Sequence, residues 1–116
     1  MAVQQHIKAR SIYAGFEWRL RVTIDGVEPF AADARFAAQI RRQAKDPALA
    51  TLTTENGGVV RINSRSLELV LPGDASADWE QGQVLIDVVR VAPEPKRNLG
   101  FRLTVPVKQS ITRDFT

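Results

Sequence analysis

One stretch of this chain constrains its fold more than any other: Phe16-Glu17-Trp18-Arg19-Leu20-Arg21-Val22-Thr23-Ile24. Phe16, Trp18, Leu20, Val22 and Ile24 alternate with Glu17, Arg19, Arg21 and Thr23. An extended strand turns successive side chains to opposite faces, so the segment reads as a strand with one apolar face and one wet face. A second stretch repeats the pattern near the C-terminus: Phe101, Leu103, Val105 and Val107 alternate with Arg102, Thr104 and Pro106. Pro106 has no N–H to give a ladder, which places its amide side at an edge or a bulge.

Between these two stretches the chain is a succession of short apolar runs and turn residues. Ala2 to Ala9 reads as a first strand anchored by Val3 and Ile7, and Ser11 to Gly15 as a connection. Asp25-Gly26 ends the main strand, and Pro29 argues against immediate continuation. Arg35 to Gln43 fits both periods: Phe36, Ala37, Ile40 and Ala44 make a helical stripe, while Phe36, Ala38, Ile40 and Arg42 alternate. Strand is the preferred reading, because the surroundings are β-like and Asp46-Pro47 stops the segment early. Asn56-Gly57 between Leu49–Thr54 and Val59–Ile62 predicts a hairpin, since both residues tolerate positive φ. Leu67, Leu69 and Leu71 form a further strand up to Pro72-Gly73. Asp74 or Ser76 is then expected to cap a single helical turn through Trp79. Gln83 to Ala92 carries apolar residues on both faces and is expected to lie centrally.

Seven or eight short strands with at most a short helical turn predict an all-β fold, an immunoglobulin-like antiparallel β-sandwich. The 116 residues make one domain, with residues 1–10 as a first strand able to fray or exchange and residues 109–116 as a tail. At 44% apolar the chain can build a core, and with no cysteine it has neither disulfides nor thiolate metal sites. No apolar run approaches a membrane span, and the N-terminus lacks the basic and apolar regions of a signal peptide. The expectation is a protein made in the cytoplasm, with no membrane partner.

No catalytic, cofactor-binding or metal-binding residue is predicted. His6 is the one histidine, near the N-terminus, with no Ser-His-Asp arrangement around it. Of Asp25, Asp33, Asp46, Asp74 and Asp78, most stand beside Gly, Pro or Ser, where aspartate works as a turn or cap residue. Asp87 sits inside an apolar strand, where a carboxylate faces solvent or pairs with an arginine, and the pairing is preferred. Gly57-Gly58 lacks the lysine and spacing of a phosphate loop.

The net charge of +3 comes from 16 basic and 13 acidic residues, interspersed along the chain. Twelve of the basic residues are arginine. Arg19 and Arg21, Arg41 and Arg42, and Lys96 and Arg97 are candidate interaction residues. A single-stranded nucleic-acid surface interleaves such cations with aromatics, but Trp18 alternates away from Arg19 and Arg21. Trp79 joins the candidates as a partner anchor, although plugging one end of the sandwich is the preferred role.

The order of segments resembles a known family. An alternating strand ending in Asp25-Gly26 is followed by Ala38-Gln39-Ile40-Arg41, then by a threonine-flanked hairpin from Leu52-Thr53-Thr54 to Val60-Arg61-Ile62. Pro72-Gly73, Trp79, Gly82 and Ile86-Asp87-Val88 follow in turn. Gly100-Phe101-Arg102-Leu103-Thr104-Val105 then leads to Ile111-Thr112-Arg113. This resembles the immunoglobulin-like N-terminal domain of tailed-phage baseplate upper proteins and related small prophage-encoded domains, with Ile86 standing where that family has a tyrosine. The resemblance implies a nonenzymatic structural role in a tail or baseplate. Its partners would be other virion proteins or further copies of the chain, assembled after synthesis in the host cytoplasm. A carbohydrate-binding sandwich is the alternative, and a single-stranded nucleic-acid-binding domain the second alternative.

Overall fold

The computed structural model describes residues 5–24 and 29–112, with side chains described from residue 9 onward. Nine strand segments follow in chain order: β1 (Gln5–Lys8), β2 (Ile12–Tyr13), β3 (Trp18–Thr23), β4 (Arg35–Arg41), β5 (Ala50–Thr53), β6 (Val59–Asn63), β7 (Ser66–Leu71), β8 (Gly82–Ala92) and β9 (Arg97–Lys108). They form two sheets. The larger has the order β1-β9-β8-β4-β5, with β2 also on β9, and the smaller has the order β3-β7-β6. β1 and β2 run end to end along the same neighbour, so nine segments fill eight strand positions. The fold is an all-β sandwich.

The sheets are not wholly antiparallel, contrary to the sequence reading. β1 and β2 both run parallel to β9. The first strand and the last therefore share an edge, and the break between β1 and β2 explains Pro106. That residue falls between Thr104, the last residue paired by β1, and Val107, the first paired by β2. A residue without an N–H costs least where no neighbour asks for one.

The core is one cluster fed by both sheets. Leu67, Leu69 and Leu71 of β7 meet Phe36, Ala38 and Ile40 of β4, Val84, Ile86 and Val88 of β8, and Leu103 and Val105 of β9. The ambiguous segment from Arg35 is thus a strand, and the alternating set is the buried one. β8 is central, between β9 and β4, as its two-faced apolarity predicts. Trp18 and Ile24 are buried, while Leu20 and Val22 of the same face are half-buried.

Five local expectations are corrected. The segment taken as a connection holds β2, whose Ile12 is fully buried. Phe16 does not join the core face: β3 starts at Trp18, and Phe16 is 36% exposed in the turn before it. Asn56-Gly57 makes a turn but not a hairpin. β5 pairs with β4 and β6 with β7, so this turn carries the chain from one sheet to the other. Asn56 Oδ1 accepts the N–H groups of Thr53 and Gly58, which closes the crossover without a two-strand ladder. The single helical turn is a short 3-10 turn, Gly73–Ser76, preceded by Pro72 with no side-chain cap; Ser76 lies inside it and is buried. Asp87 is half-buried and accepts from Asn98 Nδ2 at 3.0 Å, with no ion pair to an arginine among the described residues. Arg102 is the residue opposite Asp87 in the β8–β9 ladder, yet the carboxylate bonds Asn98, which the register shift between Asp87 and Val89 sets opposite Val89.

The expected turn at Asp25-Gly26, the anchor Val3 and the end of the 109–116 tail lie outside the described residues. Among the described residues no helix is long and apolar enough to cross a membrane.

Candidate functional site

The β2–β3 connection shapes a chemically varied concavity of the surface. Phe16 N–H donates to the Tyr13 carbonyl at 3.0 Å, and Gly15 takes φ +87°, a value that favours glycine. This tight turn leaves Tyr13 46% exposed and Phe16 36% exposed. Between the turn and the start of β3 lies a cleft of about 380 Å³, lined by Arg10, Ser11, Tyr13, Phe16, Glu17, Trp18, Arg19 and Ser110.

The turn is fixed from three sides. Ala14 N–H donates to the Lys108 carbonyl of β9 at 3.0 Å. Gly15 N–H donates to Ser76 Oγ at 3.1 Å, and Ser76 is fully buried. Gly73 packs so close that a Cβ there would stand 2.7 Å from the Gly15 carbonyl oxygen. The exposed rings therefore stand on a braced support, the arrangement a binding surface needs to avoid losing entropy when a partner arrives.

The floor of the cleft is braced as well. Trp18 Nε1–H donates to the Arg10 carbonyl at 2.9 Å, and Arg10 Nη2 donates to the Arg19 carbonyl at 2.6 Å. Arg19 also binds Glu17 at 3.1 Å and Glu68 at 3.1 Å, and Arg21 reaches Glu68 at 3.7 Å. Hydrogen bonding and charge from Glu17, with Glu68 behind it, hold the Arg19 guanidinium above its ordinary range, outweighing desolvation. A raised arginine keeps its charge until strongly alkaline pH, so this network does not switch near neutrality.

No protein-family model matches this chain. No curated protein does either.

Of the residues singled out in the sequence, Arg19 is the one that lines the cleft, with Arg21 next along the ion-pair row. The others are dispersed. Arg41 donates to the Asp46 carbonyl and to Gln39 Oε1, pinning the end of β4 to its own loop. Arg42 donates to the carbonyls of Gln83 at 3.2 Å and Glu80 at 2.5 Å, tying that loop to β8. Lys96 and Arg97 are exposed at the β8–β9 connection. Trp79 is buried at 7% exposure and belongs to the core, as the plug reading expects, so it offers no ring to a partner. Trp18 and the Arg19–Arg21 row do lie on opposite faces.

Two other depressions are chemically poorer. A groove of about 540 Å³ runs between Leu49–Leu52 and Val70–Ala75, where β5 and the end of β7 diverge, and its lining has no aromatic or basic side chain. A dimple of about 100 Å³ lies over Asp87 and Arg102 on the outer face of the larger sheet. Among the described residues no three His, Cys, Asp or Glu side chains stand together as a metal site. The sequence reading missed the pairing of Tyr13 with Phe16, because Phe16 was assigned to the strand. The signal available was Gly15: a glycine between two aromatics three positions apart marks a turn that shows both to solvent.

Proposed function

We propose that this protein is a nonenzymatic contact module that holds another protein through the β2–β3 cleft. Its setting is the phage or prophage tail or baseplate assembly that the sequence resemblance implies. The supporting observation is the exposed Tyr13–Phe16 pair on a turn braced by Ser76, Gly73 and β9. Aromatic and arginine side chains in a supported concavity have the composition of interface hot spots. The chain is made in the host cytoplasm and then joins a particle or an oligomer.

Solution mass together with co-purification alongside neighbouring gene products from a phage-producing culture tests this. The wild-type chain is expected in particles, and a Tyr13→Ala/Phe16→Ala variant of intact fold is expected to be lost from them. A strict monomer that enters no particle overturns the reading.

A carbohydrate-binding role is the second reading. The exposed Tyr13 ring beside Glu17 and Arg19 favours it, since sugars stack on rings flanked by polar groups. Glycan-array binding abolished by Tyr13→Ala would establish it. The single-stranded nucleic-acid alternative has less support. Arg19, Arg21, Arg41 and Arg42 are each engaged with protein acceptors, and no aromatic of β3 shares the face of Arg19 and Arg21.

A further inference from the structure

We infer that the β2–β3 cleft takes a partner segment carrying a carboxylate next to an apolar side chain, gripped by Arg10 and seated against Tyr13 and Phe16. The inference rests on the contact-module reading and names the chemistry of its partner.

Arg10 differs from Arg19, Arg21 and Arg35, each of which has a glutamate within ion-pair distance. Among the described residues Arg10 has no carboxylate within that distance, and its one side-chain hydrogen bond goes to the Arg19 carbonyl. Arginine presents a planar fork of several N–H donors, so donors remain for a two-point grip on a carboxylate. The group is also already ordered. Its backbone carbonyl is held by the Trp18 indole and its Nη2 by the strand, so little freedom is lost on binding.

The neighbouring charges select the sign. Glu17 is paired with Arg19, which leaves Arg10 as the unbalanced charge among the described residues lining the cleft. An anionic group is therefore favoured and a cationic one repelled. The exposed rings supply the apolar half of the site.

Arg10 also decides how the partner lies. β3 ends its sheet, and the open edge of such a strand ordinarily invites another strand to pair. Here the Arg19 carbonyl is already taken by Arg10. The partner is thus read by its side chains at this end rather than by strand addition.

The test is a titration of the ¹⁵N-labelled full chain with end-capped Gly-Glu-Leu-Gly, its Gly-Gln-Leu-Gly counterpart, and a neutral oligosaccharide. The glutamate peptide is expected to shift the amides of residues 10–19 and the Arg10 side-chain N–H. It should bind about tenfold more tightly than the glutamine peptide, the scale of a charge-assisted bond. Arg10→Gln should erase that difference, with the rest of the spectrum unchanged showing the fold intact, and added salt should reduce it. Equal binding of the two peptides overturns the carboxylate inference while leaving the contact module standing. No shift at the cleft by either peptide, or shifts by the oligosaccharide alone, also overturns it. The contact reading itself falls separately, if Tyr13→Ala/Phe16→Ala co-purifies as the wild type does.

Discussion

The buried hydroxyl of Ser76 accepts the backbone N–H of Gly15 at 3.1 Å, joining two turns that lie 61 residues apart. The same hydroxyl reaches the Gly73 carbonyl at 3.3 Å. One side chain thereby ties the 3-10 turn after β7 to the turn that displays Tyr13 and Phe16. Ser76→Ala should cost about 1–3 kcal/mol, the penalty for leaving a donor and an acceptor unpaired. Urea unfolding reads this directly, and a midpoint unchanged from wild type would remove Ser76 from the brace. The same variant should weaken partner binding without touching any residue that lines the cleft.

Gly58 tests the crossover between the sheets. A Cβ added there would stand 2.6 Å from Leu52 Cβ and 2.8 Å from Asn56 Oδ1. Leu52 is a buried core residue, and Asn56 Oδ1 closes the turn, so neither can retreat freely. Gly58→Ala should destabilise by about 1–3 kcal/mol, the usual range for overpacking. Gly57→Ala should act differently, through its φ of +78° rather than through contact, because nothing lies near its missing Cβ. If Gly58→Ala melts like the wild type, the close approach of β5 to the crossover is wrong.

These two glycines show what the sequence could and could not reveal. Alternation is a local property, so Trp18 to Thr23, Leu67 to Leu71 and Phe101 to Val107 were legible as strands, while Phe36 to Ile40 fitted both periods and was read as a strand only from its β-like surroundings. Which sheet a strand joins is not local. The Asn56-Gly57 turn has the composition of a hairpin, yet its flanking strands find their partners elsewhere, β5 on β4 and β6 on β7. The parallel pairing of β1 and β2 on β9 is likewise set by residues about a hundred positions apart. At the candidate site the arginines were visible by type, but their acceptors were not. Arg41 and Arg42 serve the fold because distant backbone carbonyls come to them.

Trp79 separates a core plug from a partner anchor. Its burial, its N–H bond to the Ser76 carbonyl at 3.0 Å and the Gln109 bond to its own carbonyl at 3.1 Å fix it at the end of the sandwich. Trp79→Ala should cost about 3–5 kcal/mol, the range for removing a large buried aromatic. An exposed anchor would cost less than about 0.5 kcal/mol in the free protein, since surface substitutions away from such features rarely exceed that. Thermal unfolding of the isolated chain distinguishes these outcomes without any partner present.

Arg42 and Lys96 give the sharpest contrast among the basic residues, because sequence alone ranks them together. Arg42 spans from the β4–β5 loop to the carbonyls of Glu80 and Gln83, just before and within β8. Its guanidinium replaces the pairing that those carbonyls would otherwise seek from solvent, and its loss frees both the loop and the entry to the central strand. Arg42→Ala should therefore lower stability by about 1 kcal/mol, near the net value of a hydrogen bond at a partly exposed site. Lys96 lies exposed in the β8–β9 connection with no bond among the described residues, so Lys96→Ala should stay within about 0.5 kcal/mol of wild type. Paired denaturation curves, supplemented by hydrogen exchange at the β8 amides, check both. Faster exchange near Gln83 in Arg42→Ala alone is the expected pattern. Equal curves for the two variants would mean that the arginine's contacts contribute no more than an ordinary surface charge.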